Sequence, residues 1–172
     1  MQFDFRRAAM LSISHAKENK DTMIGEKEIA DFWETHPCGE SASGSNLQDD
    51  YETFFRTYDA WRYQKEAHIP ACLDQIDFRG KKVLEIGLGL GADSEQIIRR
   101  GASWCGLDLT KGSVDRVLAR FEVRNLPYDT IKVGSALDIP FTDNSFDIVF
   151  SHGVLHHIPE ACPAGNPSCT QA

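Results

Sequence analysis

The stretch KKVLEIGLGLGADSEQ, residues 81–96, constrains this chain more than any other. A short apolar run from Lys82 to Leu88 leads into Gly87, Gly89 and Gly91, and a helical pattern follows. Glycines at alternate positions between a strand and a helix leave the main chain bare, so a ligand can lie directly against it. The helix start then offers it unpaired N–H groups. Such a turn belongs to an open α/β sheet, where ligands bind beyond the carboxyl ends of the strands.

The rest of the middle of the chain agrees. The pattern predicts a helix from Ala92 to Arg100 with Ile97 and Ile98 inward, closed by Gly101 in left-handed geometry. A second strand from Trp104 to Leu109 follows, and Thr110 is placed to cap a helix whose apolar face is Val114, Val117, Leu118 and Phe121. Tyr128 to Val133 and Phe146 to Ser151 read as third and fourth strands. Alternating strands and helices imply parallel pairing, hence a doubly wound, mostly parallel sheet.

Around this core the division is coarser. Residues 1–22 read as a polar, disordered leader, with Met23 an alternative start. Residues 23–78 read as a helical cap. In it, Ile29, Phe32 and Trp33 share one face of a helix ended by Pro37, Cys38 and Gly39. A Ser/Gly/Asp loop and an aromatic helical stretch from Tyr51 to Gln75 follow, broken at or restarted by Pro70. The aromatics suit a core stripe, with a lid over a pocket as the alternative. Residues 79–160 form the core, and 161–172 an irregular tail whose Pro163, Gly165 and Pro167 forbid a long helix. An apolar fourth strand left at the sheet edge invites self-association.

Composition narrows the partners. A formal charge of −8 argues against a protein living on nucleic-acid phosphates. No apolar run is long enough to span a bilayer. The five cysteines (38, 72, 105, 162, 169) contain no C-x-x-C, which fits reduced thiols in a cytoplasmic setting. His156, His157, Cys162 and Cys169 match no common zinc spacing, so no metal site is expected.

Two ligand classes compete for the turn. GLGLGA also satisfies a G-x-G-x-x-A dinucleotide pattern, so a nicotinamide- or flavin-dependent oxidoreductase is the rival. Glu85 speaks against it. An acid at the base of the cradle repels a pyrophosphate but welcomes a ligand bearing an ammonium and a sulfonium. Asp108, 21 residues after Gly87, is placed to accept from both hydroxyls of a ribose, which either ligand carries. Ser135 and Ala136, in the turn after the third strand, are placed to meet an adenine edge.

The V-L-E-I-G-x-G-x-G run, the GLDLT strand end and the block GSALDIPFTDNSFDIVFSHGVLHHIP resemble the class I S-adenosylmethionine-dependent methyltransferases over Val83 to Pro159. WETHPCGE and YQKEAHIP are similar to the cap that precedes the sheet in some of them. The resemblance implies a Rossmann-like fold and S-adenosylmethionine as cofactor. Glu85 and the backbone of Gly87, Leu88 and Gly89, in the turn that Gly91 completes, would hold its methionyl part. Asp108 would take the ribose and Leu109 the adenine face. Ser135, Ala136 and, standing in for a relative's acid, Asp138 would meet the adenine edge, with Ser151 and His152 flooring the pocket. No nucleophile is required; a base, if needed, would be His152, His156 or His157. The acceptor would be a small molecule. The family sheet has seven strands, so the chain is expected to lack the last three. That raises a non-catalytic remnant as a further alternative.

Overall fold

The computed structural model describes residues 25–37, 39 and 50–158. The expectations for the leader and Met23, for Cys38 and most of the Ser/Gly/Asp loop, and for Pro159 and the tail with Cys162 and Cys169 lie outside those residues.

The sheet has four parallel strands, β1 (Lys82–Ile86), β2 (Ser103–Asp108), β3 (Thr130–Val133) and β4 (Ile148–Phe150), in the order β3-β2-β1-β4. Around it lie α1 (Glu26–Thr35), α2 (Tyr51–Lys65), α3 (His68–Leu73), α4 (Ala92–Arg99) and α5 (Lys111–Arg124). The strand order reverses between β1 and β4, which opens a crevice at their carboxyl ends.

Most elements start and stop as their residues dictate. Asp50 caps α2 by accepting from the Thr53 N–H at 3.0 Å, and Thr110 caps α5. Gly101, at φ +92°, ends α4, and Asn125 ends α5 at φ 49°. Pro70 does not break a helix; it sits in the first turn of α3, where a missing N–H costs nothing. In α1, Ile29 and Trp33 face inward, but Phe32 is 52 % exposed and stacks on His36.

The two sheet faces are covered differently. On one, Val83 and Trp104 pack with Ile97, Val117 and Phe121 of α4 and α5. On the other, Leu84, Ile86, Cys105 and Leu107 are covered by Ala136, Phe141 and Phe146, because the β3–β4 crossover carries no helix. Phe54, Phe55 and Tyr58 of α2 bury themselves against Leu90 and Ala92 in the glycine turn. The aromatic stripe is therefore a core element, and Tyr58 also borders the crevice.

Candidate cofactor site

A cavity of about 220 Å³ lies at the switch point. Its floor is Glu85 to Leu90 with Asp93, and one wall is Leu107 to Thr110 with Gly134 and Ala136. Arg62 of α2, Glu66 just past its end and His152 to Val154 close the opposite wall; Glu26, Ile29 and Trp33 of α1 form a roof.

The glycines divide their labour. At Gly89, φ is +53° and an added Cβ would meet nothing within 4 Å, so the bare backbone fronts open cavity. At Gly87, φ +80°, a Cβ would lie 2.0 Å from Val154 Cγ2, so that residue lets the segment after β4 close onto the turn. Gly91 does not border the cavity. Its Cβ would press on Val117 at 3.1 Å and Arg120 at 3.3 Å, so it serves helix packing instead. The turn is also held from beneath: Arg120, wholly buried, donates to the Leu90 carbonyl at 2.8 Å and pairs with Glu95 and Asp59.

Glu85 is 2 % exposed and borders the cavity. Its partner is not a backbone N–H but the Trp104 indole, which donates to Oε2 at 2.8 Å. In the β1–β2 register Glu85 faces Gly106. A Cβ on Gly106 would lie 2.3 Å from Trp104 Cη2, so glycine there makes room for the indole to reach the acid. Burial and then the charge of Asp93 push the Glu85 carboxyl up to about 8. The folded protein therefore holds a proton that the unfolded chain releases near 4.5. Wild-type stability should fall as pH rises from about 5 to about 8, because the native state binds the extra proton in that window. Glu85→Gln should remove the slope. Urea midpoints of both proteins across that range check it, and parallel curves would refute it.

Asp108 sits at the end of β2 with both oxygens engaged. Oδ2 accepts from the Leu88 N–H at 2.6 Å, and Oδ1 from the Thr110 N–H and hydroxyl, each at 2.8 Å. It links the glycine turn to the next helix, and its oxygens keep further lone pairs for a ligand. Leu88, Leu109 and Ala136 border the cavity. Besides Gly91, three candidates do not. Ser135 turns its hydroxyl to the Glu26 carboxylate and accepts from the Leu137 N–H at 2.9 Å. Asp138 is exposed on the crossover, and the Ser151 hydroxyl donates to the Ile86 carbonyl at 3.0 Å. Of the residues expected against the adenine, Ala136 and Leu109 border the cavity and Ser135 and Asp138 do not.

The histidines separate too. His152 Nδ1 lies 3.2 Å from an Arg62 nitrogen and 3.6 Å from Asp93 Oδ2, so its ring joins that ion pair at the cavity wall. His156 lies off the cavity, whereas His157 borders it with its ring against Trp33 at 5.1 Å. Burial and then His156 hold the His157 imidazole below its usual value, hence neutral near pH 7. Among the described residues no cluster could hold a metal ion.

Sequence reasoning passed over Arg62 and Asp93. Arg62 donates to Asp93 Oδ2 at 2.7 Å and pairs with Glu66 at 3.0 Å. Burial alone would raise the Asp93 carboxyl, but His152 and Arg62 outweigh it and hold it below the usual range. Asp93 stands in the first turn of α4, where an acid also complements the helix N-terminus. No local pattern could have paired it with a residue on α2.

The residues suit an adenosyl sulfonium: bare backbone at Gly89, two buried acids beneath it and Asp108 one crossover away. Comparison with known proteins agrees. Residues 84–164 match the family described as "Methyltransferase domain". A fatty-acid O-methyltransferase of Mycolicibacterium smegmatis is 34% identical over 87 residues, 49% of this chain and 31% of that protein. A ubiquinone biosynthesis O-methyltransferase of Neisseria meningitidis is 32% identical over 99 residues, 53% of this chain and 41% of its own. The chain thus spans less than half the length of these relatives. The structure of magnesium protoporphyrin IX methyltransferase from Synechocystis PCC 6803, with bound SAM, shares the fold at TM-score 0.57 and 20% identity, covering 83% of this chain and 69% of that one. None of these supports the dinucleotide alternative. Glycine turn and strand order agree with the match of residues 84–164 to a methyltransferase domain, and the chain has the Rossmann-like α/β fold of that domain.

Proposed function

We propose that the chain binds S-adenosylmethionine and that its activity is methyl transfer to a small-molecule acceptor. The observation that carries this is the meeting of Glu85, the open Gly89 backbone and Asp108 on one cavity at the switch point. The bound cofactor supplies an electrophilic methyl on a sulfonium, and the protein's task is alignment and exclusion of water. The Gly87–Gly89 backbone and the acids below hold the methionyl arm. Asp108 takes the ribose, and Leu109 and Ala136 pack on the adenine. Trp33, Ile29 and Val154 keep the far end dry. His157 is the side chain best placed to take a proton if the acceptor must lose one. The names of the relatives favour a small acceptor over a macromolecule, and the net acidity disfavours nucleic acid. Free Cys72 and Cys105 suit a reducing, cytoplasmic setting. Pairing of copies along β4, which among the described residues bonds only to β1, is the self-association to look for.

Calorimetric titration tests the proposal. S-adenosylmethionine and S-adenosylhomocysteine should each bind at one site, while a nicotinamide dinucleotide should give no heat. Asp108→Asn should weaken both ligands by about 1–3 kcal/mol, the worth of a charged hydrogen bond. A folded sample silent to both ligands would reject it.

A further inference from the structure

The two acids on the cavity floor are not equivalent. Glu85 is pinned by the Trp104 indole and is deeper, at 2 % exposure. Asp93, 7 % exposed in the first turn of α4, gives Oδ2 to the Arg62 guanidinium, while its Oδ1 is buried with no hydrogen-bond partner. A buried oxygen left without a donor is costly, and native interiors keep one where a ligand or water answers it. Asp93 also stays ionised beside Arg62, whereas Glu85 holds its proton at neutral pH. Arg62 is shared between Asp93 and Glu66, so the cluster keeps an excess of negative charge. The complement of an orphaned carboxylate oxygen in such a cluster is a cation with N–H donors.

We propose that Asp93, rather than Glu85, is the carboxylate that receives the ligand's ammonium group. The assignment rests on the S-adenosylmethionine proposal above and sharpens it. Arg62 and His152 then act as positioning residues: they fix Oδ2 and leave Oδ1 for the ligand. Glu85 contributes as an uncharged hydrogen-bonding group beneath the turn.

Three probes isolate the ammonium. S-adenosylhomocysteine carries ammonium and carboxylate, S-adenosyl-3-thiopropylamine the ammonium alone, and methylthioadenosine neither. Asp93→Asn should weaken the first two by about 10- to 100-fold, the range for a charge-assisted bond, and methylthioadenosine by no more than about 3-fold. Glu85→Gln should show a smaller selective loss than Asp93→Asn. Equal loss of all three probes in Asp93→Asn would mean a merely structural role and overturn the assignment, as would a larger selective loss at Glu85→Gln. Should Asp93→Asn not fold, Glu85→Gln decides alone: a selective loss of about 10-fold or more overturns the assignment, and one under about 3-fold upholds it. Wild-type protein that binds S-adenosylhomocysteine and S-adenosyl-3-thiopropylamine no more tightly than methylthioadenosine sinks the inference alone. Wild-type protein that binds none sinks the functional proposal beneath it.

Discussion

Arg120→Met should cost about 3–5 kcal/mol of unfolding free energy, the usual penalty for removing one partner of a buried ion pair. Arg120 has no exposed surface, donates to Glu95 and Asp59 and lies over the Phe55 ring at 4.4 Å. Methionine fills much of the volume but leaves Glu95, 5 % exposed, facing an apolar neighbour. The same guanidinium holds the Leu90 carbonyl, so the glycine turn loses its prop and S-adenosylhomocysteine affinity should fall with stability. Urea unfolding of both proteins reads the first effect and calorimetry the second. A stability loss below about 1 kcal/mol would show that Arg99, already on Glu95 at 2.8 Å, takes over the charge.

Gly89→Ala should separate binding from folding. A left-handed alanine costs about 1–2 kcal/mol wherever it stands. Nothing in the protein opposes the new Cβ, but it enters the space where the ligand would lie against the backbone. Affinity for S-adenosylhomocysteine should drop at least about 10-fold, which corresponds to about 1.4 kcal/mol. Gly91→Ala is the matched control. Its φ of +74° carries similar strain, and its Cβ presses on Val117 and Arg120 rather than into the cavity. It should lose stability while keeping most of its affinity. If the two variants lose affinity alike, Gly89 is a turn residue and the cradle argument fails.

The contrast also shows what could be read from residues alone. The glycine turn, the parallel sheet and the caps at Thr110 and Gly101 rest on local rules of sterics and periodicity, and each stands where expected. Glu85 was legible as an anomaly, but its partner was not, because Trp104 reaches it only through the vacancy at Gly106 in the neighbouring strand. Ser135 was placed by its position in a turn, and Asp138 only by what the resemblance implies. Spacing says where a turn lies and not which way a hydroxyl points, and Glu26 of a distant helix claims Ser135. Arg62, Asp93 and His152 meet from three separate segments, a convergence no window of sequence displays.

The roof has a consequence of its own. No residue of α1 is buried, and its fastenings are polar or aromatic points: Glu34 on the Gly112 N–H at 3.0 Å, Glu26 on Ser135, Trp33 on His157. Contacts of that kind hold little free energy, so lifting the helix uncovers the crevice without spilling the apolar interior. Trp33 would therefore yield to a bulky molecule at small cost, with α1 lifting off its points of contact at Gly112, Ser135 and His157.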